Sequence, residues 1–316
     1  MLDDAEETFK HEISLNTIIS AASRSLDSLY QINTDRGVAL NIEYFDRILS
    51  ENPEDTSATY FRGLAHLALG NLESATTDFL RSRALGLDMI QMRASLGYSN
   101  GMLGGDSGHL EKAVNEDPAN ALFKAYLGNY FLSRGEFVQA LDSAETAHTL
   151  DPELGLAALV RARSLVYLGL ESPAKEILGL SLNSNLPGAL DYIDRGQLYT
   201  HFGEFDNALS DLNQAIRINP NQAKSYNARA KTYAIIGDSE SALEDFNSAI
   251  DREPVIGQHF RDRGVLYDIL GESGRSASDF EIADSVDRSR DKSGGKSRTL
   301  PPRERNLAYF DSYKGT

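Results

Sequence analysis

A glycine recurs at fixed spacing along most of this chain. The first interval is 31 residues and each later interval is 34, with the glycines at Gly70, Gly101, Gly135, Gly169, Gly203, Gly237 and Gly271. A second small residue stands seven positions before each of them, at Gly63, Ala94, Gly128, Ala162, Gly196, Ala230 and Gly264. A constant period of this length is typical of solenoids, in which each repeat buries its apolar surface only against its neighbours. The sequence therefore predicts a chain of tandem repeats.

The spacing defines seven repeats, which begin near residues 56, 87, 121, 155, 189, 223 and 257. Apolar and small residues recur within each repeat at helical spacing, which predicts two amphipathic helices packed antiparallel. The recurrent glycine can adopt the left-handed conformation that ends the first helix, and a proline such as Pro220 stops the second.

The second repeat is irregular. The short interval predicts a contraction of three residues near Gly86, so that Gly101 would end the first helix of the second repeat. Glycines at positions 101, 104, 105 and 108 predict a late and short second helix, because glycine is unfavourable inside helices. We expect either a joint in the solenoid between residues 86 and 108 or a simply degenerate repeat.

Two repeats match a known pattern almost completely. The matching residues of the first are Tyr192, Arg195, Gly196, Tyr199, Gly203, Ala208, Leu212, Ala215 and Pro220, and the next repeat matches from Tyr226 to Pro254. The pattern resembles the tetratricopeptide repeat family, in the variant with Arg-Gly or Arg-Ala on the first helix and Asp-Phe on the second. The resemblance covers about residues 56–290. It implies an all-α fold, a right-handed α-solenoid of tandem antiparallel helix pairs, with a concave groove that is lined by first helices and holds peptides or protein segments.

The two ends of the chain have a weaker pattern. Residues 1–55 predict a leading helix and a degenerate repeat, since terminal repeats of solenoids are usually atypical. A helix used for dimerisation is the alternative. Residues 291–316 predict a basic and partly disordered tail, with a short helix at 303–313 that caps the last repeat or occupies a groove.

Composition excludes several classes of function. The net charge is −16, with +4 from Asp287 onward and −20 before it, and such an acidic body argues against a nucleic-acid partner. Cysteine is absent, and no two histidines lie four residues apart, so neither a metal site nor a cofactor is expected. Neither a signal peptide nor an apolar run of membrane-spanning length is visible, which predicts a cytoplasmic protein.

Charged residues recur within the repeats. The seventh position is arginine in six repeats: Arg62, Arg93, Arg161, Arg195, Arg229 and Arg263. The twenty-third position is aspartate in four repeats: Asp78, Asp211, Asp245 and Asp279. Every repeat with this aspartate also has the arginine, so we predict four ion pairs that join the two helices of one repeat, with a structural role.

The family geometry places positions two, five, nine, twelve and thirteen in the groove. In the later repeats the implied groove residues are Arg163, Gln197, His201, Lys224, Asn227, Lys231, Gln258 and Arg261. This set is basic and rich in amides, which predicts binding of an acidic or carboxylate-bearing segment of a partner protein. The carboxylate-clamp pattern of Hsp70- and Hsp90-binding members is absent from any three successive repeats, so that function is disfavoured.

The sequence shows no convergent nucleophile, base or metal constellation, so no catalytic role is expected. It predicts a non-enzymatic scaffold that binds a partner segment in its groove. Two alternatives remain open. One is a structural or assembly protein that forms a homo-oligomer through its N-terminal helices or its tail, and the other is a regulatory subunit of an enzyme on another chain.

Overall fold

The computed structural model describes residues 37–181 and 184–292 of the chain. Within these ranges it consists of fifteen α-helices without a β-strand. The helices are α1 (Gly37–Glu51), α2 (Thr56–Ala68), α3 (Leu72–Ala84), α4 (Ile90–Met102), α5 (Gly108–Glu116), α6 (Ala121–Arg134), α7 (Phe137–Leu150), α8 (Gly155–Tyr167), α9 (Glu171–Leu180), α10 (Ala189–His201), α11 (Phe205–Ile218), α12 (Ala223–Ile236), α13 (Ser239–Arg252), α14 (Gly257–Ile269) and α15 (Ser273–Lys292). After α1, the helices form seven successive pairs, from α2 with α3 to α14 with α15. The predicted all-α solenoid of tandem helix pairs is confirmed.

The described residues divide into two compact units, one that ends at Glu116 and one that begins at Asp117. In the first unit, α1 packs against α2, α2 against α3, and α4 against α5. Its core surrounds the aromatic rings of Phe45, Tyr60 and Phe79, each at most 1% exposed. The centroids of the Tyr60 and Phe79 rings lie 5.9 Å apart, which is within the range of favourable aromatic contacts.

Helix α1 contacts α2 in the same way as a second helix contacts the next repeat. Arg62 on α2 donates from Nη1 to Oδ1 of Asp46 on α1, at 2.7 Å. In a later repeat, Arg229 donates in the same manner to Asn213, which lies on the preceding second helix. The degenerate repeat predicted for residues 1–55 stays a prediction, since residues 1–36 lie outside the described residues. The same applies to the tail from residue 293, including the helix predicted at 303–313.

In the second unit each first helix packs against its own second helix and against the next first helix, in the order α6, α8, α10, α12 and α14. The small residue at the eighth position allows a close approach. A Cβ atom added to Gly196 on α10 would lie 2.8 Å from Cγ of Leu212 on α11 and 3.3 Å from the carbonyl oxygen of Ala208. Glycine is therefore required here by the packing of the two helices.

Left-handed glycines end the first helices. The φ angle is +77° at Gly135 and +93° at Gly237, a region that residues with a Cβ rarely adopt. In the second repeat the prediction that Gly101 has this role is wrong. Gly101 lies within α4, and Gly104, with a φ of +86°, follows the end of that helix.

The prediction of a contraction near Gly86 is therefore also wrong. Helix α4 begins at Ile90, which is 34 residues after Thr56, so the first repeat has the full period. The three missing residues belong to the second repeat, whose second helix α5 has only nine residues. The close-packed small residue of this repeat is Gly97, where a Cβ would lie 2.2 Å from the backbone nitrogen of Leu110. The predicted late and short second helix is confirmed.

This change of register removes Arg93 from the arginine series. Leu96 takes the seventh position of the second repeat, counted from the start of α4. Arg93 instead forms ion pairs with Asp88, at 2.5 Å, and with Glu116. The interpretation of Arg93 as a seventh-position arginine was wrong. Ala94 and Gly101 also fit the small-residue pattern, but they lie three residues before Gly97 and Gly104, which occupy those positions in the structure.

Candidate functional site

Arginine and aspartate side chains join the two helices of four repeats. In these four repeats, Nε and Nη2 of the seventh-position arginine donate to the two carboxylate oxygens of the aspartate sixteen residues further on, at 2.6–2.8 Å. The structure brings together Arg62 with Asp78, Arg195 with Asp211, Arg229 with Asp245, and Arg263 with Asp279. This parallel two-bond geometry is the strongest arrangement that a guanidinium and a carboxylate form.

The same arginines also reach backwards to the element before their repeat. Nη1 of Arg229 bonds to Asn213 on α11, and Nη1 of Arg195 bonds to the carbonyl oxygens of Ser181 and Ser184 in the loop after α9. The hydrogen bond to Asp245 is the main factor that raises the pKa of Arg229 above its usual value. These contacts hold three successive elements together, which favours a structural role over ligand binding.

The eight predicted groove residues lie on four first helices, α8, α10, α12 and α14. We call the surface formed by these side chains the first-helix wall. A series of hydrogen bonds and ion pairs, which we call the polar chain, crosses this surface from helix to helix. Nη1 of Arg163 on α8 donates to Oδ1 of Asn129 on α6, at 3.0 Å, and lies 2.7 Å from Oδ2 of Asp194 on α10. Nζ of Lys224 on α12 lies 3.3 Å from Oδ1 of the same aspartate. Asp194 therefore links Arg163 to Lys224.

A second cluster joins α12 to α14 around Asp262, whose side chain is 4% exposed. Its carboxylate accepts hydrogen bonds from Asn227, at 3.0 Å, and from Gln258, at 2.8 Å, and lies 2.8 Å from Nζ of Lys231. Since these three partners are all predicted groove residues, the structure brings them together at one buried carboxylate.

Two further predicted residues, Arg261 and His201, are held by second helices. Arg261 forms ion pairs with Asp284, at 2.9 Å, and Asp287, at 2.7 Å, both on α15. His201 lies 3.0 Å from a carboxylate oxygen of Glu171 on α9.

Sequence reasoning missed two residues of the wall, Asp194 and Asp262. Both occupy the sixth position of their repeat, directly before the seventh-position arginine, and that position was not among those assigned to the groove. The repeated Asp-Arg dipeptides at 194–195 and 262–263 were the available signal. Their presence means that positive and negative groups alternate along the first-helix wall.

Two aspartates of α10 differ in protonation. Burial opposes the ionisation of Asp194, but Arg163 and Lys224 outweigh it and lower the pKa of this carboxyl below its usual value. Asp191 is buried one turn earlier on α10, and no ion pair to it is formed within the described part of the chain. Burial, with a further contribution from the charge of Asp194, raises the pKa of Asp191 to about 7. Asp191 therefore holds its proton to a much higher pH than Asp194 on the same helix.

A cleft opens between α8 and α10 at the same place. The residues that line it are Arg163, Val166, Tyr167, Asp194, Gln197, Leu198 and His201. The ring of Tyr167 stacks on Phe137 with a centroid distance of 4.6 Å and an interplanar angle of 11°. The cleft thus combines apolar and aromatic surface with fixed hydrogen-bonding groups, a mixture that is typical of ligand sites.

The described residues contain no group of three or more histidine, aspartate or glutamate side chains placed to hold a metal ion. None of their helices combines the length and the apolar character needed to cross a membrane.

Family comparisons agree with the repeat geometry. Models described as "TPR repeat" and "Tetratricopeptide repeat" match residues 196–237, 42–86 and 223–255. No match is found among curated protein sequences.

Solved structures with the same fold are numerous. The Cut9-Hcn1 hetero-tetramer of the APC/C is 15% identical, with a TM-score of 0.64, and the match covers 89% of this chain and 57% of that chain. A monomeric mutant of IFIT1 with Gppp-AAAA is 14% identical, with a TM-score of 0.52, and 82% of this chain and 73% of that chain are covered. A crystal structure of MamA is 21% identical over 52% of this chain and 97% of that chain, with a TM-score of 0.44.

The likeness to these structures concerns the fold alone. The family models and the repeated helix pairs show that this chain contains tetratricopeptide repeats, within residues 42–86 and 196–255.

Proposed function

We propose that the protein is a non-enzymatic interaction scaffold that binds an extended segment of a partner protein along the first-helix wall, with a carboxylate of that segment at Lys224. The observation that carries the proposal is the polar chain from Asn129 through Arg163 and Asp194 to Lys224, which presents fixed donors and acceptors across four successive first helices. An extended peptide offers both donors and acceptors along its backbone, so it can pair with a surface of this kind.

The cleft between α8 and α10 supports a peptide ligand. Val166 and Leu198 supply apolar surface at its base, where both residues are less than 10% exposed. Tyr167 is held in place by its stacking on Phe137. Apolar surface of the bound segment can therefore pack against the rim of the cleft while the segment's backbone meets the polar groups around it.

The choice of Lys224 follows from how firmly each cation is held. The Arg163 side chain is 16% exposed and that of Lys231 is 20% exposed, and both are in contact with carboxylates of limited exposure. The Lys224 side chain is 51% exposed, and it shares Asp194 with Arg163. If Lys224 turns toward a partner carboxylate, Arg163 still neutralises Asp194, so the buried charge is not left unpaired.

Selection from a random 12-residue peptide phage library tests this function. The wild-type chain is expected to enrich peptides that contain aspartate or glutamate, and Lys224→Glu is expected to weaken binding of the selected peptides at least tenfold. Lys112→Glu is the matched control, because Lys112 is also exposed and paired with a glutamate but lies in the first unit. Failure to enrich any peptide, or equal binding by wild type and Lys224→Glu, would contradict the proposal.

The alternatives remain predictions. Self-association through the N-terminal helices or the tail depends largely on residues 1–36 and 293–316, which lie outside the described residues. The role of a regulatory subunit requires a second chain and is compatible with the same wall.

A further inference from the structure

The fourth repeat keeps the seventh-position arginine but lacks its partner. In the four paired repeats, the residue sixteen positions after the arginine is an aspartate that receives two hydrogen bonds, as in the pair of Arg195 with Asp211. The corresponding residue after Arg161 is Ile177, on the short helix α9. Among the described residues no carboxylate forms an ion pair with Arg161, and its Nε is buried without a hydrogen-bond partner.

The contact on the other side is missing as well. In the paired repeats the residue sixteen positions before the arginine, or the loop near it, also accepts a hydrogen bond, as Asn213 does from Arg229. For Arg161 the corresponding residue is Glu145 on α7, which is exposed. Glu145 and Arg161 do not pair within the described part of the chain.

The Arg161 guanidinium has hydrogen-bond donors that the described part of the chain does not satisfy. A guanidinium carries five N–H donors and no acceptor, and its preferred partners are carboxylates and other anions. The Arg161 side chain as a whole is only partly buried, which leaves it accessible from solvent. Because Nε is buried, a carboxylate from outside the chain would meet the guanidinium at its terminal nitrogens, Nη1 and Nη2. A carboxylate can accept two parallel bonds from two nitrogens of one guanidinium.

We propose that Arg161 is a second contact point for a partner protein, and that its terminal nitrogens, Nη1 and Nη2, bind a carboxylate of that partner. The site is separate from the first-helix wall, because the seventh-position arginines contact second helices, whereas Arg163 contacts α6 and α10. A partner that binds along the first-helix wall and also supplies a carboxylate to Arg161 would contact α8 on two of its faces.

The test follows the Nε–H signals of arginine side chains by NMR in the full-length chain. Sodium acetate replaces sodium chloride at constant ionic strength, and Arg161→Leu assigns the signal. We expect a saturable shift of the Arg161 signal with acetate, and no shift for Arg195, Arg229 or Arg263, whose carboxylate positions are occupied. A parallel titration with sodium phosphate is the second arm.

The variant Ile177→Asp supplies the missing carboxylate from within the chain. It is expected to abolish the acetate response, to move the Arg161 signal toward those of the paired arginines, and to raise the melting temperature. Arg161→Leu is expected to leave the melting temperature nearly unchanged, since it leaves no buried carboxylate unpaired. The absence of an acetate response in the wild type, its persistence in Ile177→Asp, or a response to phosphate alone would overturn the proposal.

Discussion

Arg195 and Asp211 form a buried ion pair that joins α10 to α11. Nε of Arg195 lies 2.7 Å from Oδ2 of Asp211, and Nη2 lies 2.8 Å from Oδ1. The arginine side chain is 3% exposed and the aspartate side chain 7% exposed, which makes this the most enclosed of the four pairs. Both charges are almost fully shielded from water. Removal of either side chain would leave the other charge buried without a partner.

This pair should show strong coupling in unfolding experiments. Arg195→Leu strands the Asp211 carboxylate and is expected to lower the free energy of unfolding by about 3 kcal/mol. The double variant Arg195→Leu with Asp211→Leu should lose less than the single variant, because no charge remains buried. Unfolding in denaturant measures the free energy of unfolding of the single and the double variant. Additive losses, with the double variant the least stable, would show that the pair is not coupled.

The pair of Arg263 with Asp279 is the matched comparison. Its geometry is the same, with both bonds at 2.8 Å, but the arginine side chain is 18% exposed. Solvent screening should therefore reduce the cost of Arg263→Leu relative to Arg195→Leu.

The buried carboxyl of Asp191 should make stability depend on pH. Its pKa is about 7 in the folded chain, raised mainly by burial, whereas an exposed aspartate has a value of 3.8. The folded state therefore binds a proton that the unfolded state has released, and stability falls as the pH rises from about 4 to 7. Asp191→Asn should remove this fall and be more stable at pH 8, by at most about 4 kcal/mol.

The control for Asp191→Asn is Asp142→Asn, at an exposed aspartate on α7. Thermal melts of both variants and the wild type between pH 4 and 8 make the comparison. If Asp191→Asn keeps the pH slope of the wild type, Asp191 is not the group responsible.

Replacement of two helical glycines by alanine should change the stability of the protein in opposite directions. At Gly196 a Cβ would lie 2.8 Å from Cγ of Leu212, so Gly196→Ala is expected to cost about 1–3 kcal/mol of stability. At Gly179 on α9 nothing lies within 4 Å of the added Cβ, so Gly179→Ala is expected to add up to about 1 kcal/mol through helix propensity. Chemical denaturation of both variants provides the test. Stabilisation by Gly196→Ala would refute the close approach of α10 and α11.

The cations of the first-helix wall should differ in their effect on stability. Lys231→Ala removes the only ion-pair partner of Asp262 in the described structure, so it should lower the melting temperature by several degrees. Lys224→Ala leaves Asp194 paired with Arg163 and should change the melting temperature little. Equal losses in the two variants would contradict the contact pattern on which the choice of Lys224 rests.

Much of the fold follows from the period of the sequence. The first helices α6, α8, α10, α12 and α14 begin at residues 121, 155, 189, 223 and 257, where the repeats were predicted to begin. The second repeat was misplaced by three residues, because Ala94 and Gly101 satisfy the small-residue pattern as well as Gly97 and Gly104 do. Only the packing of Gly97 on Leu110 and the φ angle of Gly104 separate the two registers.

The contacts of the candidate site were not predictable from the sequence. The family geometry assigned Arg163, Lys224 and Lys231 to first helices, and they lie on α8 and α12. Their neutralisation by Asp194 and Asp262 depends on contacts between successive helices, which the position of a residue within its own repeat does not specify. The orphan state of Arg161 likewise became evident only from the contacts of the other four arginines.

The most direct test of the central claim is to map the binding of a library-selected acidic peptide on the backbone amide signals of the full chain. The account predicts perturbations concentrated on α8, α10 and α12, centred on Lys224 and the cleft beside Tyr167, and their loss in Lys224→Glu. Perturbations confined to α1–α5, or a pattern that Lys224→Glu leaves unchanged, would contradict it.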